Sequence, residues 1–279
     1  MGKWAEGRTL SKKCWSLLGQ NKYFLWFPVI GLILALLPLA VFGIPALVLL
    51  AYDSELLGII LAALCLVFVN YAFTLSGAAL VSAADEELAG KDASVGYGFG
   101  KAFGKLVPLF VWAIIRAVVS AFFAALRGNN SGAAGVASNI FAAIGAAAWS
   151  IVTFFVTPYI MFHDSNAVAA IKESAKLVKE KWGTQLTGGI RIGASVALII
   201  LPAIALVVIG VIMLSGDGGG AAVGGGLIAV GAVLFLIGLL IGNTLQAIFS
   251  VALYRFATGS TEIAPFTATE LQGVLRVKS

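Results

Sequence analysis

Apolar residues in this chain fall into six long blocks, with polar residues confined to the gaps between them. The blocks run from about Phe24 to Ala51, Leu56 to Ala83, Leu106 to Leu126, Ala133 to Phe162, Gly188 to Leu214 and Val223 to Ala257. As a helix, each can cross a hydrocarbon core, which takes ~20 residues. The pattern predicts an all-α polytopic membrane protein of six transmembrane helices, a single integral membrane domain over residues 1–279. Pro28, Pro38 and Pro45 predict a kinked or tilted first span. That block is about twice the length of a signal-peptide apolar region, so it reads as a retained span.

Three gaps are simple turns: Asp53-Ser54-Glu55, Arg127-Gly128-Asn129-Asn130-Ser131-Gly132 and Gly216-Asp217-Gly218-Gly219-Gly220. The other polar segments have more structure. Over residues 4–22, Trp4, Leu10, Cys14, Trp15, Leu17 and Leu18 interleave with Lys3, Arg8, Lys12, Lys13 and Lys22. This suits an interfacial amphipathic helix, or a plain basic topogenic tail. Over residues 165–182, Ile171, Ala175, Val178 and Trp182 make a helical apolar stripe, and Lys172, Lys176 and Lys179 make a basic face. Asp164, Ser165 and Asn166 are all suitable N-caps for it. Between spans 2 and 3, Tyr97, Phe99 and Phe103 beside Lys101 and Lys105 suit an interfacial anchor, and Asp85-Glu86-Glu87 reads as a solvated acidic face. Spans 1, 3 and 5 start about 82 residues apart, each after a basic residue and an aromatic: Lys22-Tyr23, Phe103-Gly104-Lys105 and Lys181-Trp182-Gly183. Three tandem two-helix units fit this spacing, as does any six-span chain with short outer loops.

Composition agrees with the pattern. The chain is 60% hydrophobic and 11% charged with a mean hydropathy of +1.02, against roughly 25% charged residues in soluble domains. The net charge of +5 sits in blocks between spans, which is a topology signal and not a nucleic-acid footprint. With six spans, 16 of the 18 Lys and Arg residues fall on one side, leaving only Arg127 opposite and Arg116 inside span 3. The positive-inside rule then places both termini in the cytoplasm. Cys14 and Cys65 lie in opposite environments and are not expected to pair. Two cysteines and one histidine cannot build a typical zinc site, so neither metal nor cofactor is expected.

Arg116 is the most informative single residue. It falls near mid-membrane, where a charge costs ~3 kcal/mol on insertion scales and usually faces protein or water. No acidic residue lies in a span core to pair with it. It is a candidate lipid-headgroup or anion contact, together with Lys172, Lys176 and Lys179 at the surface, and a structurally satisfied arginine is the alternative. Asn70, Asn139, Asn243 and Gln246 are the amides that could line a polar path. Gly224, Gly231, Gly238 and Gly242 form one small-residue stripe, and Ala113, Ala117, Ala121 and Ala125 form another. Both are helix-packing faces, toward this chain or another copy. Gly96-Tyr97-Gly98-Phe99-Gly100-Lys101 and Gly104-Lys105 do not fit the phosphate-loop spacing. His163 beside Asp164 reads as an ordinary boundary residue. No nucleophile–base set, clustered carboxylates or metal spacing is present, so no enzymatic activity is expected.

Ala148-Trp149-Ser150 through Pro158 and Ser174-Ala175-Lys176 through Trp182-Gly183 resemble a family of prokaryotic six-span membrane proteins catalogued only as a domain of unknown function. Lys12-Lys13-Cys14-Trp15-Ser16, Pro28, and Ala252-Leu253-Tyr254-Arg255-Phe256-Ala257-Thr258-Gly259 are similar to it too, so the resemblance covers nearly the whole chain. It implies a six-span fold in a prokaryotic inner membrane and carries over no catalytic residue. His163-Asp164 stands where that family more usually has an acidic residue followed by Gly, which argues against a specific role for His163. The expected function is a non-enzymatic scaffold or accessory protein contacting membrane lipids, a homo-oligomeric copy or a partner membrane protein. The alternative is a small channel or transporter, single-chain or oligomeric, in keeping with Arg116, the amides and the Pro- and Gly-rich spans.

Overall fold

The computed structural model describes residues 3–52, 54–127, 133–181, 187–215, 221–260 and 263–267. Trp182 and most of two expected turns lie outside them. The described chain is helical: α1 (Lys3–Gln20), α2 (Trp26–Pro38), α3 (Ile44–Ala51), α4 (Glu55–Leu88), α5 (Val95–Phe103), α6 (Leu106–Arg127), α7 (Ala133–Val152), α8 (Val156–Phe162), α9 (Ala167–Lys181), α10 (Thr187–Ser215) and α11 (Ala221–Ala257). Among the described residues six helical segments are long and apolar enough to cross a membrane: Lys22–Ala51, Glu55–Leu88, Leu106–Arg127, Gly135–Phe162, Val196–Leu214 and Ala222–Ala257. Large apolar side chains point outward along them, Leu37, Leu47, Phe141 and Leu198 among the most exposed. This is the surface of a multi-pass protein whose solvent is lipid.

The spans pair in chain order. α2 and α3 pack on α4, α6 packs on α7, and α10 packs on α11. Each pair is led in by a helix that lies at one end of the bundle: α1 against α10 and α11, α5 against α4, α9 against α6, α7 and α8. That end, which carries most of the basic residues, is called the basic end below. α4 is the hub, touching α2, α3, α5, α6, α8 and α11. One cluster of buried residues draws on all three pairs, from Leu10 and Phe24 through Leu88, Leu109 and Ile160 to Phe249 and Leu253.

The prolines of the first span act unequally. Pro28 lies in the first turn of α2, where its missing N–H is harmless. Pro38 and Pro45 bracket a π-helical turn, Leu39–Gly43, in which Ile44 N–H donates to the Leu39 carbonyl five residues back. Pro45 has no N–H to give Val41, and its ring crowds that carbonyl, so the wider turn relieves the helix there.

The structure adds three details that the apolar pattern does not carry. Past the second apolar block, which ends at about Ala83, α4 continues to Leu88 and closes with left-handed Gly90 (φ 75°). Gly90 N–H donates to Glu87 and Lys91 N–H to Glu86, satisfying the terminal carbonyls. α11 ends the same way at Gly259 (φ 85°), with Ser260 N–H on Arg255. The polar stretch after α4 holds its own helix, α5, started by Ser94, whose hydroxyl accepts from Tyr97 N–H at 3.1 Å. The fourth span is not one helix. It breaks at Thr153–Phe155 between α7 and α8, because Pro158 cannot donate to Phe154 and crowds its carbonyl.

Candidate functional site

Successive residues on a helix are rotated by about 100°, so three in a row point in three directions. At the end of α4 these are Asp85, Glu86 and Glu87, and each meets a different element. Asp85 accepts from Arg255 of α11 at 2.7 Å, and Arg255 also donates to the Asp85 backbone carbonyl at 2.9 Å. Glu86 accepts from the Tyr97 hydroxyl of α5 at 2.7 Å and lies 3.6 Å from Lys91. Glu87 accepts from the Tyr23 hydroxyl at 2.7 Å and from Ala93 N–H at 3.2 Å. The reading of this triplet as a solvated acidic face is therefore corrected: its carboxylates clasp the first pair to α5 and to α11. Desolvation, reinforced by the carboxylate of Glu86, pushes the Tyr97 hydroxyl up to about 12, so it stays a donor at any physiological pH. Lys101 lies over the Tyr97 ring at 5.5 Å.

A second set of contacts surrounds the turn between α8 and α9. Lys105, just before α6, pairs with Asp164 and donates to the His163 carbonyl at 3.1 Å. That ammonium holds the exposed Asp164 carboxyl below its ordinary value. The His163 ring stacks on Tyr159 with centroids 4.4 Å apart, and its Nδ1 shares a 3.2 Å hydrogen bond with the Tyr254 hydroxyl of α11. Of the three candidate caps, Asn166 caps α9, accepting from Ala169 N–H at 2.8 Å. Ser174, fully buried on α9, reaches into the break of the fourth span. Its hydroxyl accepts from Phe155 N–H at 3.1 Å and donates to the Val152 carbonyl at 2.6 Å. The buried face of α9 is Ala167, Ala170, Ser174 and Val178, so the expected stripe is rotated: Ile171 and Ala175 sit at its edge. Lys172, Lys176 and Lys179 are exposed.

Arg116 lies midway along α6. Its Nη1 donates to Thr74 Oγ1 at 3.2 Å, and Thr74 in turn donates to the Asn70 carbonyl at 2.7 Å. Among the described residues no carboxylate pairs with Arg116. Trp112, one turn earlier, is buried against Trp149, and its Nε1 has no hydrogen-bond partner among the described residues. The four amides do not converge. Asn70 donates back to Leu66 of its own helix at 2.9 Å, and Asn139 is exposed on α7. Asn243 and Gln246 are exposed on α11 and border a groove of about 370 Å³ between α10 and α11, which Asn70 and Asn139 do not line.

The glycine stripe faces α10 of the same chain. A methyl group built on Gly224 would lie 2.7 Å from the Gly210 carbonyl oxygen, one on Gly231 2.8 Å from that of Ala203, and one on Gly238 2.8 Å from Ile200. Gly242 has slightly more room, 3.1 Å from Val196. Only such residues let the backbones approach this closely in lipid. The alanine stripe is buried at Ala113 and Ala117 and exposed at Ala121 and Ala125, so it serves as a packing face only in the half of α6 nearer the basic end.

Sequence reasoning missed the Asp85–Arg255 pair, the Tyr254–His163 bond and the Ser174 plug. Each joins residues distant in the chain, and the only local signals were an acidic triplet at a helix end and a serine on an otherwise apolar face.

Residues 56–263 match the model of DUF6159, a family of unknown function. No curated protein and no solved structure matches the chain. The chain belongs to the DUF6159 family.

Proposed function

We propose that this protein is a non-enzymatic scaffold or accessory protein of the membrane, acting through contact with membrane lipids or partner membrane proteins. The observation that carries this reading is how the polar groups are used. At the basic end Asp85, Glu86, Glu87, Lys105, Asp164 and Arg255 are spent on one another and on tyrosines, in contacts that join helices. Lys172, Lys176 and Lys179 of α9, and Asn243 and Gln246 of α11, face outward. Such an arrangement suits a rigid bundle with an adhesive surface better than a reacting centre. No metal or cofactor enters this reading. The basic blocks support both termini in the cytoplasm, and the resemblance described above implies a prokaryotic inner membrane, where Lys172, Lys176 and Lys179 would meet anionic headgroups. The three helix pairs, each led in by a shorter helix, support three tandem units.

The test is reconstitution into phosphatidylethanolamine–phosphatidylglycerol vesicles with measurement of ion and small-solute flux. The expected result is flux no greater than in empty vesicles, with specific lipid or protein retained on extraction into native nanodiscs. A channel or transporter is the second reading, favoured by Arg116 in mid-span and by the interrupted first span. Selective flux that is abolished by Arg116→Ala would establish it and sink the first.

A further inference from the structure

Arg116 stands eleven residues after Lys105 and eleven before Arg127, the cations at the two ends of α6. At a rise of about 1.5 Å per residue it lies about 16 Å from each. That is midway through the span, and further from either headgroup layer than its own side chain can reach. The other cations of the bundle show what is missing there. At the basic end the chain gives Arg255 the carboxylate of Asp85, and Lys105 that of Asp164. At Arg116 it gives one neutral hydroxyl, Thr74 Oγ1, to a group with five N–H donors and no acceptor. Trp112 adds to the imbalance. It precedes Arg116 by four residues, so the two share a face of α6 one turn apart, and an arginine in a helix leans back over the preceding turn. Trp112 is 3% exposed, and its Nε1, which can only donate, has no partner among the described residues.

We infer that Arg116 and Trp112 bind one small inorganic anion, of the charge and size of chloride. The class of ligand follows from the donors. The unspent polar groups of both side chains are donors, so the ligand is an acceptor. One of them carries a full charge where an uncompensated charge costs ~3 kcal/mol on insertion scales, and a water molecule supplies an acceptor without supplying a counter-charge. The size follows from the surroundings. Thr74, Trp112, Ala113 and Ala117 are buried, which leaves no lining for an organic acid. Arg116 itself is only partly buried, so the position is not sealed. The source follows from depth. A lipid phosphate would have to leave the level of Lys105 and enter the hydrocarbon. A carboxylate on a partner helix would have to enter the contact between α4 and α6, which the Arg116–Thr74 bond closes. The site goes beyond the scaffold reading and does not rest on it, since a bound ion need not cross the membrane.

The experiment uses the full chain in phosphatidylcholine nanodiscs, whose lipid carries no net charge, with radiolabelled chloride as the probe. The expected result is one saturable site per chain, displaced by bromide and not by the larger gluconate. Arg116→Met, which keeps a long side chain and loses the charge, should abolish binding. It leaves nothing stranded, because Thr74 keeps its bond to the Asn70 carbonyl, so the variant should fold. Trp112→Phe keeps an aromatic ring and loses the Nε1 donor. It should weaken binding about tenfold, and it keeps the test decisive if Arg116→Met does not fold. Lys172→Met, which removes an exposed cation of α9, should bind as the wild type does. In an independent arm, the wild type should melt at a higher temperature in chloride than in gluconate at equal ionic strength, and Trp112→Phe should show less of that rise. The inference is overturned by the absence of saturable chloride binding to the wild type. It is overturned equally by binding that is unchanged in Arg116→Met or Trp112→Phe, which would mark an adventitious ion only, or by gluconate displacing chloride as readily as bromide does.

Discussion

Ser174→Ala removes one oxygen atom and strands two backbone groups. In the wild type the hydroxyl takes the Phe155 N–H and gives its proton to the Val152 carbonyl, and Ser174 and Phe155 are fully buried. Each buried group left unsatisfied costs ~1–3 kcal/mol. Val152 is partly exposed and can recover some of its share from water or relaxation, which leaves ~2–4 kcal/mol for the pair. The cost falls on one joint, the docking of α9 over the break between α7 and α8. Opening of that joint exposes the backbone around Lys172, Lys176 and Lys179, which are trypsin sites. A loss of ~2 kcal/mol raises the open population about 30-fold, and cleavage follows that population when reclosing is fast. The assay is limited trypsin digestion in detergent, reading cleavage within α9. Ser174→Thr, which keeps the hydroxyl, should cleave more slowly than Ser174→Ala. Ser138→Ala, whose hydroxyl only bonds back to Gly135 in its own helix, should match the wild type. If Ser174→Ala is cut at the wild-type rate, the plug does not hold the joint and the reasoning fails.

Three further outcomes are expected. Gly231→Ala places a methyl 2.8 Å from the Ala203 carbonyl oxygen and 3.0 Å from Val207 N, both backbone. It should destabilise the α10–α11 pair by ~1–3 kcal/mol in thermal melting, whereas Gly225→Ala meets nothing within 4 Å and should be neutral or slightly stabilising. Asp85→Asn strips the counterion from an Arg255 side chain that is only 15% exposed. A fully buried pair would lose 3–5 kcal/mol, and partial exposure reduces that to about 1–3 kcal/mol. Asp85→Asn with Arg255→Met should recover part of the loss in a double-mutant cycle. The Cys14 thiol is pushed up to about 12 by burial, so it carries almost no thiolate at pH 8. It should resist maleimide in the folded protein and react on unfolding, and labelling of native protein at Cys14 would show that α1 is not docked.

The six spans were legible because lipid imposes length and apolarity on every crossing segment, and both can be read locally. Span ends were less legible. Residues 84–88 look like loop by hydropathy, yet the chain stays helical until Gly90 can adopt a left-handed backbone. The break in the fourth span has a local cause, Pro158, but three prolines in the first span carried the same signal with different outcomes. What precedes the proline decides: Pro28 and Pro158 both stand third in their helices, α2 and α8, but Pro28 follows a polar lead-in whereas Pro158 interrupts a continuous apolar run. Arg116 was found because charge in a span is conspicuous, while its partner Thr74 is an unremarkable hydroxyl on another helix. Asp85 and Arg255 were both visible, but their pairing depends on α4 and α11 ending side by side, which no local pattern encodes.

The two irregular spans show how the membrane constrains where a helix can fail. In hydrocarbon no water replaces a lost backbone hydrogen bond, so an interruption survives only where the protein itself resupplies the partner. Between Pro38 and Pro45 the resupply is internal. The turn widens, and the Ile44 N–H reaches the Leu39 carbonyl. At Pro158 the helix stops outright, and the freed groups need a donor and an acceptor from elsewhere. A serine hydroxyl is the smallest side chain that offers both. It comes from α9, the segment that follows after one tight turn and folds back over the break. The break lies close enough to the basic end for α9 to reach it. A similar break placed deeper, where no lead-in helix passes, would have no such partner. The chain can therefore tolerate a proline near the end of its fourth span because a polar helix follows it immediately. The Lys-rich face of α9 is then the outward side of a structural plug, whose inward side is set by Ser174.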